Sequence, residues 1–223
     1  IGLGESGPEP LALAGAPGGW VLKRGAAHKY GHGHALALAG ATGMGGAGRL
    51  AARAALRVGA GLVTLAPPPG AMAENAAALE AVMLRALPDA GEALAAMLGD
   101  ARISALVLGP GLGLARACAL VPAALAAARP TVLDADALSA FAEAPDALLG
   151  RLHPGCVLTP HGGEFARLFP DIAARWGAEP VAGPAFSKID AARAAAARAG
   201  AIVLLKGPDT VIAAPDGRAF VHA

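Results

Sequence analysis

A chain of 223 residues that is 55% hydrophobic, with a mean hydropathy of +0.52, carries enough apolar side chain for one sizeable α/β core and is excluded from the disordered class. A formal net charge of +1 and 4% aromatic residues provide neither the basic surface nor the stacking platforms that nucleic acid requires, and no membrane partner is expected. The longest uncharged run, Val58 to Ala73, contains Pro67, Pro68 and Pro69 and cannot be a membrane span.

Residues 1–19 are dense in glycine and proline and show no period, so they read as linker or lead-in. They contain no signal peptide and no initiating methionine, which predicts a processed chain or a piece of something longer. His28, His32 and His34 invite a metal reading. No completing ligand follows at metal-binding spacing, and the segment is read instead as a loop beside the ligand.

The organising stretch is Ala35 to Gly48. A short apolar run without polar alternation predicts a strand covered on both faces, and the glycines ending it let the backbone turn and approach a ligand. From Arg49 the period becomes helical: Leu50, Ala54 and Val58 form one stripe and Arg49, Arg53 and Arg57 the adjacent one. Gly59 and Gly61 stop this helix before the strand Leu62 to Leu65, so Ala35 to Leu65 is a βαβ unit. Its helix points unpaired N–H groups at whatever the glycine loop holds, which favours an anionic guest. Tight glycine turns also serve as plain connections, and neither G-x-G-x-x-G nor a Walker-type lysine motif is matched here.

Helices are predicted over Ala71 to Leu87 and Ala90 to Leu98. The strand–loop–helix pattern then recurs. Ala105 to Leu108 runs into Gly109-Pro110-Gly111-Leu112-Gly113 and a helix through Ala127; Thr131 to Leu133 ends in Asp134-Ala135-Asp136 and a helix from Ala137 to Phe141. Cys156 to Thr159 ends in Pro160-His161-Gly162-Gly163-Glu164, with a helix from Phe165, and Ala201 to Leu205 ends in Lys206-Gly207-Pro208-Asp209-Thr210. Val211 to Ala214 and Arg218 to Val221, joined by Pro215-Asp216-Gly217, form an antiparallel hairpin.

In an open parallel sheet every strand ends on the same edge, and ligands bind in the crevice outside that edge. Five strands place their special residues there, supplying glycine cradles, carboxylates for a cation or a proton, an imidazole and an ammonium suited to phosphate. Singly, each has a plainer role: Asp134 or Asp136 as a helix N-cap, Glu164 as a dipole partner, Lys206 as a strand-end lysine in a chain with few lysines. Arg49, Arg53 and Arg57 read as a solvated face or a helix contact in an oligomer. Cys118 and Cys156, far apart and without C-x-x-C spacing, read as buried free thiols of a reducing compartment.

Gly43-Met44-Gly45-Gly46-Ala47, the alanine-rich helix to Gly61, Gly109 to Gly113, Asp134 to Leu138, Thr159 to Glu164 and Lys206 to Thr210 together resemble the ADP/ATP-dependent NAD(P)H-hydrate dehydratase family over roughly Ala27 to Ala223. The resemblance implies a ribokinase-like, three-layer α/β fold: a mostly parallel sheet with helices on both faces. It implies an enzyme that uses ADP, or ATP, as co-substrate, with Mg2+, to dehydrate NADHX and NADPHX to NADH and NADPH. Carried over by motif, Ala47, Gly113, His161 and Glu164 would contact the hydrated dinucleotide, Lys206, Gly207, Pro208, Asp209 and Thr210 the adenine nucleotide, and Asp134 and Asp136 the reacting centre or a bound magnesium; no resident metal site is implied. Residues 1–26 would be a linker or the tail of a preceding NAD(P)H-hydrate epimerase domain, and residues 27–223 the dehydratase domain of a cytoplasmic, homo-oligomeric protein. The family's G-[ST]-G-D segment has no counterpart before Ala223, so a C-terminally incomplete domain without its last helices is expected, binding nucleotide with little turnover by itself. Two other readings share these residues: a ribokinase-like kinase of a small heterocyclic alcohol, and a nucleotide-binding module without catalysis.

Overall fold

The computed structural model describes residues 11–13, 29–180 and 183–222. Most of the lead-in, and His28 with it, lies outside the described residues.

Among the described residues one ten-stranded sheet forms the middle layer. Its strands in chain order are β1 (Leu11–Leu13), β2 (His34–Leu38), β3 (Leu62–Ala66), β4 (Met83–Leu84), β5 (Ile103–Leu108), β6 (Thr131–Leu133), β7 (Cys156–Leu158), β8 (Ile202–Leu205), β9 (Thr210–Ala213) and β10 (Ala219–His222). Their spatial order is β1-β10-β9-β8-β7-β6-β5-β2-β3-β4. From β8 to β4 every pairing is parallel, while β9 runs antiparallel to both β8 and β10, forming the expected hairpin. Leu11–Leu13 pairs parallel with β10, so part of the stretch expected to be linker joins the sheet.

Alternation along the central strands shows why these apolar runs are strands. Leu36 and Leu38 enter the larger core with the helices α3 (Gly91–Leu98), α4 (Leu114–Ala126), α7 (Gly162–Leu168) and α9 (Lys188–Ala199). Ala37 and Ala39 enter a smaller core with Ala52 of α1 (Gly46–Arg57) and with Val63 and Leu65 of β3. Both faces are covered, which is the condition for a parallel sheet. The fold is the three-layer α/β arrangement expected.

Several elements differ from the expectation. The stripe Leu50, Ala54 and Val58 faces outward, with Leu50 67% and Val58 65% exposed; α1 packs instead through Gly48 and Ala52. A Cβ on Gly48 would lie 3.0 Å from Ala39 Cβ, so the approach of α1 to β2 leaves room only for small residues and sends the large ones to the surface. The helix expected over Ala71 to Leu87 ends early, as α2 (Met72–Ala78). Leu79 is extended and buried, and the free edge of β3 then captures the chain: Arg85 N–H donates to Leu65 O at 3.1 Å and Leu87 N–H to Pro67 O at 2.8 Å. The short helix after β6 is α5 (Asp136–Ser139); α6 (Pro145–Leu149), α8 (Pro170–Gly177) and α9 were not anticipated. Cys156 is buried as expected, and burial pushes its thiol pKa up, but Cys118 is exposed, on the outer side of α4.

The histidine segment also moves. His34 opens β2, and the carbonyls of His32 and Gly33 accept from Gly61 N–H and Gly33 O from Leu62 N–H, so this loop belongs to the edge where the strands begin, opposite the one where they end. It is not beside the strand ends where the ligand is expected.

Candidate active site

The five loops expected to converge do so because their strands are parallel neighbours. Backbone bonds continue past the strand ends: Asp134 N–H donates to Leu108 O at 3.0 Å, Thr159 N–H to Leu133 O at 3.0 Å and Lys206 N–H to Pro160 O at 2.9 Å. The loop after each strand is thus fixed against the loop after the next.

Glycine is needed where two of these loops meet the backbone of another. A Cβ on Gly40 would lie 1.7 Å from Gly111 O, one on Gly111 2.6 Å from Met44 O, and one on Gly109 1.6 Å from Asp134 O. No side chain fits at these contacts, so the first glycine loop abuts the second and the second abuts the aspartate turn.

The aspartate turn supplies the central charges. Asp134 Oδ1 accepts from Lys206 Nζ at 2.6 Å, and Asp136 Oδ2 accepts from Gly113 N–H at 2.8 Å. Neither carboxylate caps α5: its N-cap position is Ala135, which makes no side-chain cap bond and sits at φ +46, ψ −116. For an alanine that backbone costs on the order of 1 to 3 kcal/mol, held in place by its surroundings. Lys206, the ammonium at the end of β8, is therefore paired and not an idle strand-end lysine.

His161 caps α7, its Nδ1 accepting from Gly163 N–H at 3.0 Å, while Glu164 Oε2 accepts from His161 N–H at 2.9 Å. Glu164 is buried and the imidazole is more than half exposed, so the carboxylate works within the fold, orienting the histidine, and the ring is the part open to solvent. Ala47 is exposed in the first turn of α1, whose N-cap Gly45 has no side-chain capping bond and whose first turn holds no acidic residue. Those free N–H groups and the positive end of the helix dipole remain available to an anion.

In the Lys206 to Thr210 segment, Gly207, Pro208 and Asp209 are exposed and Thr210 Oγ1 donates to Gly207 O at 3.2 Å. Lys188, not singled out in the sequence, holds this turn from the first helical position of α9. Its Nζ donates to Asp209 O and, at 3.0 Å, to Asp209 Oδ1, which keeps the Asp209 carboxyl below its usual range. The capping pattern Ser187-x-x-Asp190 could have placed it, since it marks a helix start whose next residue is this lysine. Glu74 and Asn75 of α2 were missed as well, and no local signal exposes them. Arg49, expected on a solvated face, donates to Glu74 Oε1 at 2.9 Å and to Asn75 Oδ1 at 3.1 Å.

A groove of about 610 Å3, lined by residues including Arg53, Arg57 and Glu80, lies beside α1 and shares no residue with this cluster. Among the described residues no group of three or more His, Cys, Asp or Glu is arranged to hold a metal ion by itself, and no helix is long and apolar enough to cross a membrane.

A parallel sheet covered by helices on both faces, with its charged and glycine-rich loops gathered at the strand ends, defines a ribokinase-like α/β protein. It matches an Enterococcus faecalis ribokinase-like superfamily protein with a TM-score of 0.70 at 20% identity, over 91% of this chain and 66% of that one. The sequence pattern of the NAD(P)H-hydrate dehydratase family matches residues 35–222, and the chain belongs to that family. It is 39% identical over 214 residues to the bifunctional NAD(P)H-hydrate repair enzyme Nnr of Gloeobacter violaceus, covering 95% of this chain and 39% of the relative. The Nnr of Moorella thermoacetica is 40% identical over 204 residues, 87% of this chain and 37% of its own length. The chain thus spans well under half the length of these relatives. The ADP/ATP-dependent NAD(P)H-hydrate dehydratase of Bacillus subtilis, co-crystallized with ATP/Mg2+, matches with a TM-score of 0.67 at 27% identity, over 90% of this chain and 67% of that one.

Proposed function

We propose that this protein repairs hydrated nicotinamide cofactors, dehydrating NADHX and NADPHX at the expense of ADP or ATP. The observation that carries the reading is the aspartate turn. Two anion receptors at one sheet edge, the Lys206 ammonium and the Gly113 N–H, are both engaged by carboxylates of that single turn. Ligand phosphates suit the same receptors. The Lys206 to Thr210 turn takes the adenine nucleotide, and Ala47, Gly113 and the imidazole of His161, oriented by Glu164, take the hydrated dinucleotide.

A phosphoryl group moves from ADP to the added hydroxyl, leaving AMP. Elimination then expels inorganic phosphate, and a proton leaves the neighbouring ring carbon to restore the double bond. Asp134 and Asp136 lie where that proton and the transferring charge are handled. Mg2+ fits as an ion arriving with the nucleotide, since it is commonly held by one or two carboxylates plus phosphates, and Asp134 and Asp136 are the pair that would hold it. It supplies charge neutralisation for the transferring group.

The relatives named bifunctional support a second domain, an epimerase, ahead of this one, with residues 1–26 joining the two and Leu11–Leu13 built into the sheet of the dehydratase domain. The exposed Leu50 and Val58 of α1 support self-association, and the free thiols of Cys118 and Cys156 a cytoplasmic location.

NADHX and ADP incubated with the full-length enzyme should give NADH absorbance together with AMP and phosphate. A phosphorylated alcohol accumulating without NADH would make it a kinase. Lys206→Ala should weaken ADP binding in calorimetry by on the order of tenfold or more, because it removes the cation and leaves Asp134 bare before the phosphate. Lys206→Arg should restore part of it, since a planar fork does not reproduce a compact ammonium.

A further inference from the structure

Glu74 lies outside every segment that the sequence marks for function, yet its carboxylate reaches the first glycine loop. It stands in the first turn of α2, where Oε2 accepts from Gly43 N–H at 2.6 Å and Oε1 from Arg49 Nη1 at 2.9 Å. The same Arg49 nitrogen donates to Asn75 Oδ1 at 3.1 Å. Asn75 is fully buried, and its Nδ2 donates to Ala71 O at 2.8 Å, which fixes the amide's orientation toward α1. Thr42 Oγ1 adds a bond to Gly70 O at 3.1 Å.

Packing does not hold the outer side of this loop. A Cβ on Gly43 would meet nothing within 4 Å, so hydrogen bonds are what hold that turn. On its inner side the loop touches Gly111 through Gly40 and Met44, and it leads directly into the free N–H groups around Ala47. A loop displaced at Gly43 would therefore carry the start of α1 with it, while the second glycine loop stays wedged against the aspartate turn through Gly109. Arg49 neutralises the carboxylate, so the pair fixes geometry without placing net negative charge beside an anionic ligand. Accepting the Gly43 N–H, and then Arg49, also depresses the Glu74 pKa, so the carboxylate stays ionised at neutral pH.

We propose that Glu74 is a positioning residue for the dinucleotide: through Gly43 N–H and Arg49 it sets the first glycine loop, and with it the opening amides of α1, at the place where the hydrated cofactor is read. This rests on the dehydratase reading above. The nucleotide turn at Lys206 to Thr210 makes no contact with the clamp and should be indifferent to it.

The test uses the full-length enzyme, with NADHX and ADP as probes, and compares Glu74→Ala and Glu74→Gln. Glu74→Ala should raise KM for NADHX about tenfold, the effect of one lost charge-assisted hydrogen bond. The calorimetric Kd for ADP should stay within about twofold, below the effect of any single lost hydrogen bond. Glu74→Gln, which retains an acceptor for Gly43, should recover part of the loss. Without any ligand, amide exchange in peptides covering residues 40–48 should accelerate in Glu74→Ala and leave those covering 109–113 nearly unchanged. Exchange at 40–48 equal to wild type would overturn the clamp, and so would an equal weakening of NADHX and ADP accompanied by a lower Tm. Should Glu74→Ala not fold, Glu74→Gln is judged by the same exchange and KM readouts. A wild-type enzyme that produced no NADH would sink the dehydratase reading, while the exchange experiment would still decide the clamp.

Discussion

The two glycine loops of the site do the same task by opposite means. The loop after β2 is held on its outer side by a side chain from a distant helix, Glu74 of α2, itself braced by Arg49 of α1, and opens into a helix whose first turn is uncapped. The loop after β5 is held by backbone crowding, Gly109 against Asp134 O and Gly111 against Met44 O, and its Gly113 N–H is already occupied by Asp136. One loop is tethered and open; the other is wedged and occupied. Rigidity at a strand end can thus come from a bond that a remote substitution breaks, or from a contact that only a change at the glycine itself disturbs.

That contrast breaks first at the glycines. Gly109→Ala forces a Cβ to within 1.6 Å of a backbone oxygen at φ +131, and should cost on the order of 4 kcal/mol or more, visible as insoluble expression or a collapsed Tm. Gly43→Ala, at φ +82 with open space around it, should cost only the backbone strain, roughly 1 to 2 kcal/mol in urea denaturation. Equal costs would mean the two loops are held alike.

Freeing the occupied amide is the next test. Asp136→Asn removes the negative charge engaged with Gly113 N–H, so the second helix start comes to resemble the first. Turnover should fall by about 10² or more if Asp136 handles the proton, while KM for NADHX holds steady or drops. A raised KM with unchanged kcat would show that the carboxylate serves binding instead.

Acid should separate the loops more gently. Glu74 titrates below its ordinary value of 4.5 in the folded protein, so the unfolded chain takes up the proton first. Its contribution is complete above 4.5 and is lost as pH falls through the depressed folded value. The urea midpoint of the wild type should therefore drop more steeply below that pH than that of Glu74→Gln, and parallel slopes would disprove the link.

Much of this arrangement is legible in the chain because a buried parallel strand leaves an apolar run, and a crowded loop leaves glycine where the run ends. That is why Gly40, Gly109, Asp134, His161 and Lys206 can be assigned to one edge from the sequence. The side-chain tethers were not legible. Glu74 meets Gly43 across 31 positions and Lys188 meets Asp209 across 21, separations that no periodicity reports. The stripe of α1 does not mark its buried side for a different reason: where a helix approaches a strand closely, glycine and alanine form the core contact and leucine and valine do not. Alanine richness likewise hid the early end of α2, because only the free edge of β3 turns Leu79 to Leu87 away from a helix that their composition would allow.

Gly40 and Gly111 lock each other in a way that reaches beyond any one molecule. Each Cβ is forbidden by main-chain atoms of the other loop, and main-chain atoms cannot be shortened by substitution. No compensating change elsewhere in the side chains opens a path for either glycine, so single steps at these two positions are closed together. Descendants of this sequence are free to vary the tethers, trading Glu74 and Arg49 for other bonded pairs, but they must pass through the paired glycines unchanged or rebuild both loops at once.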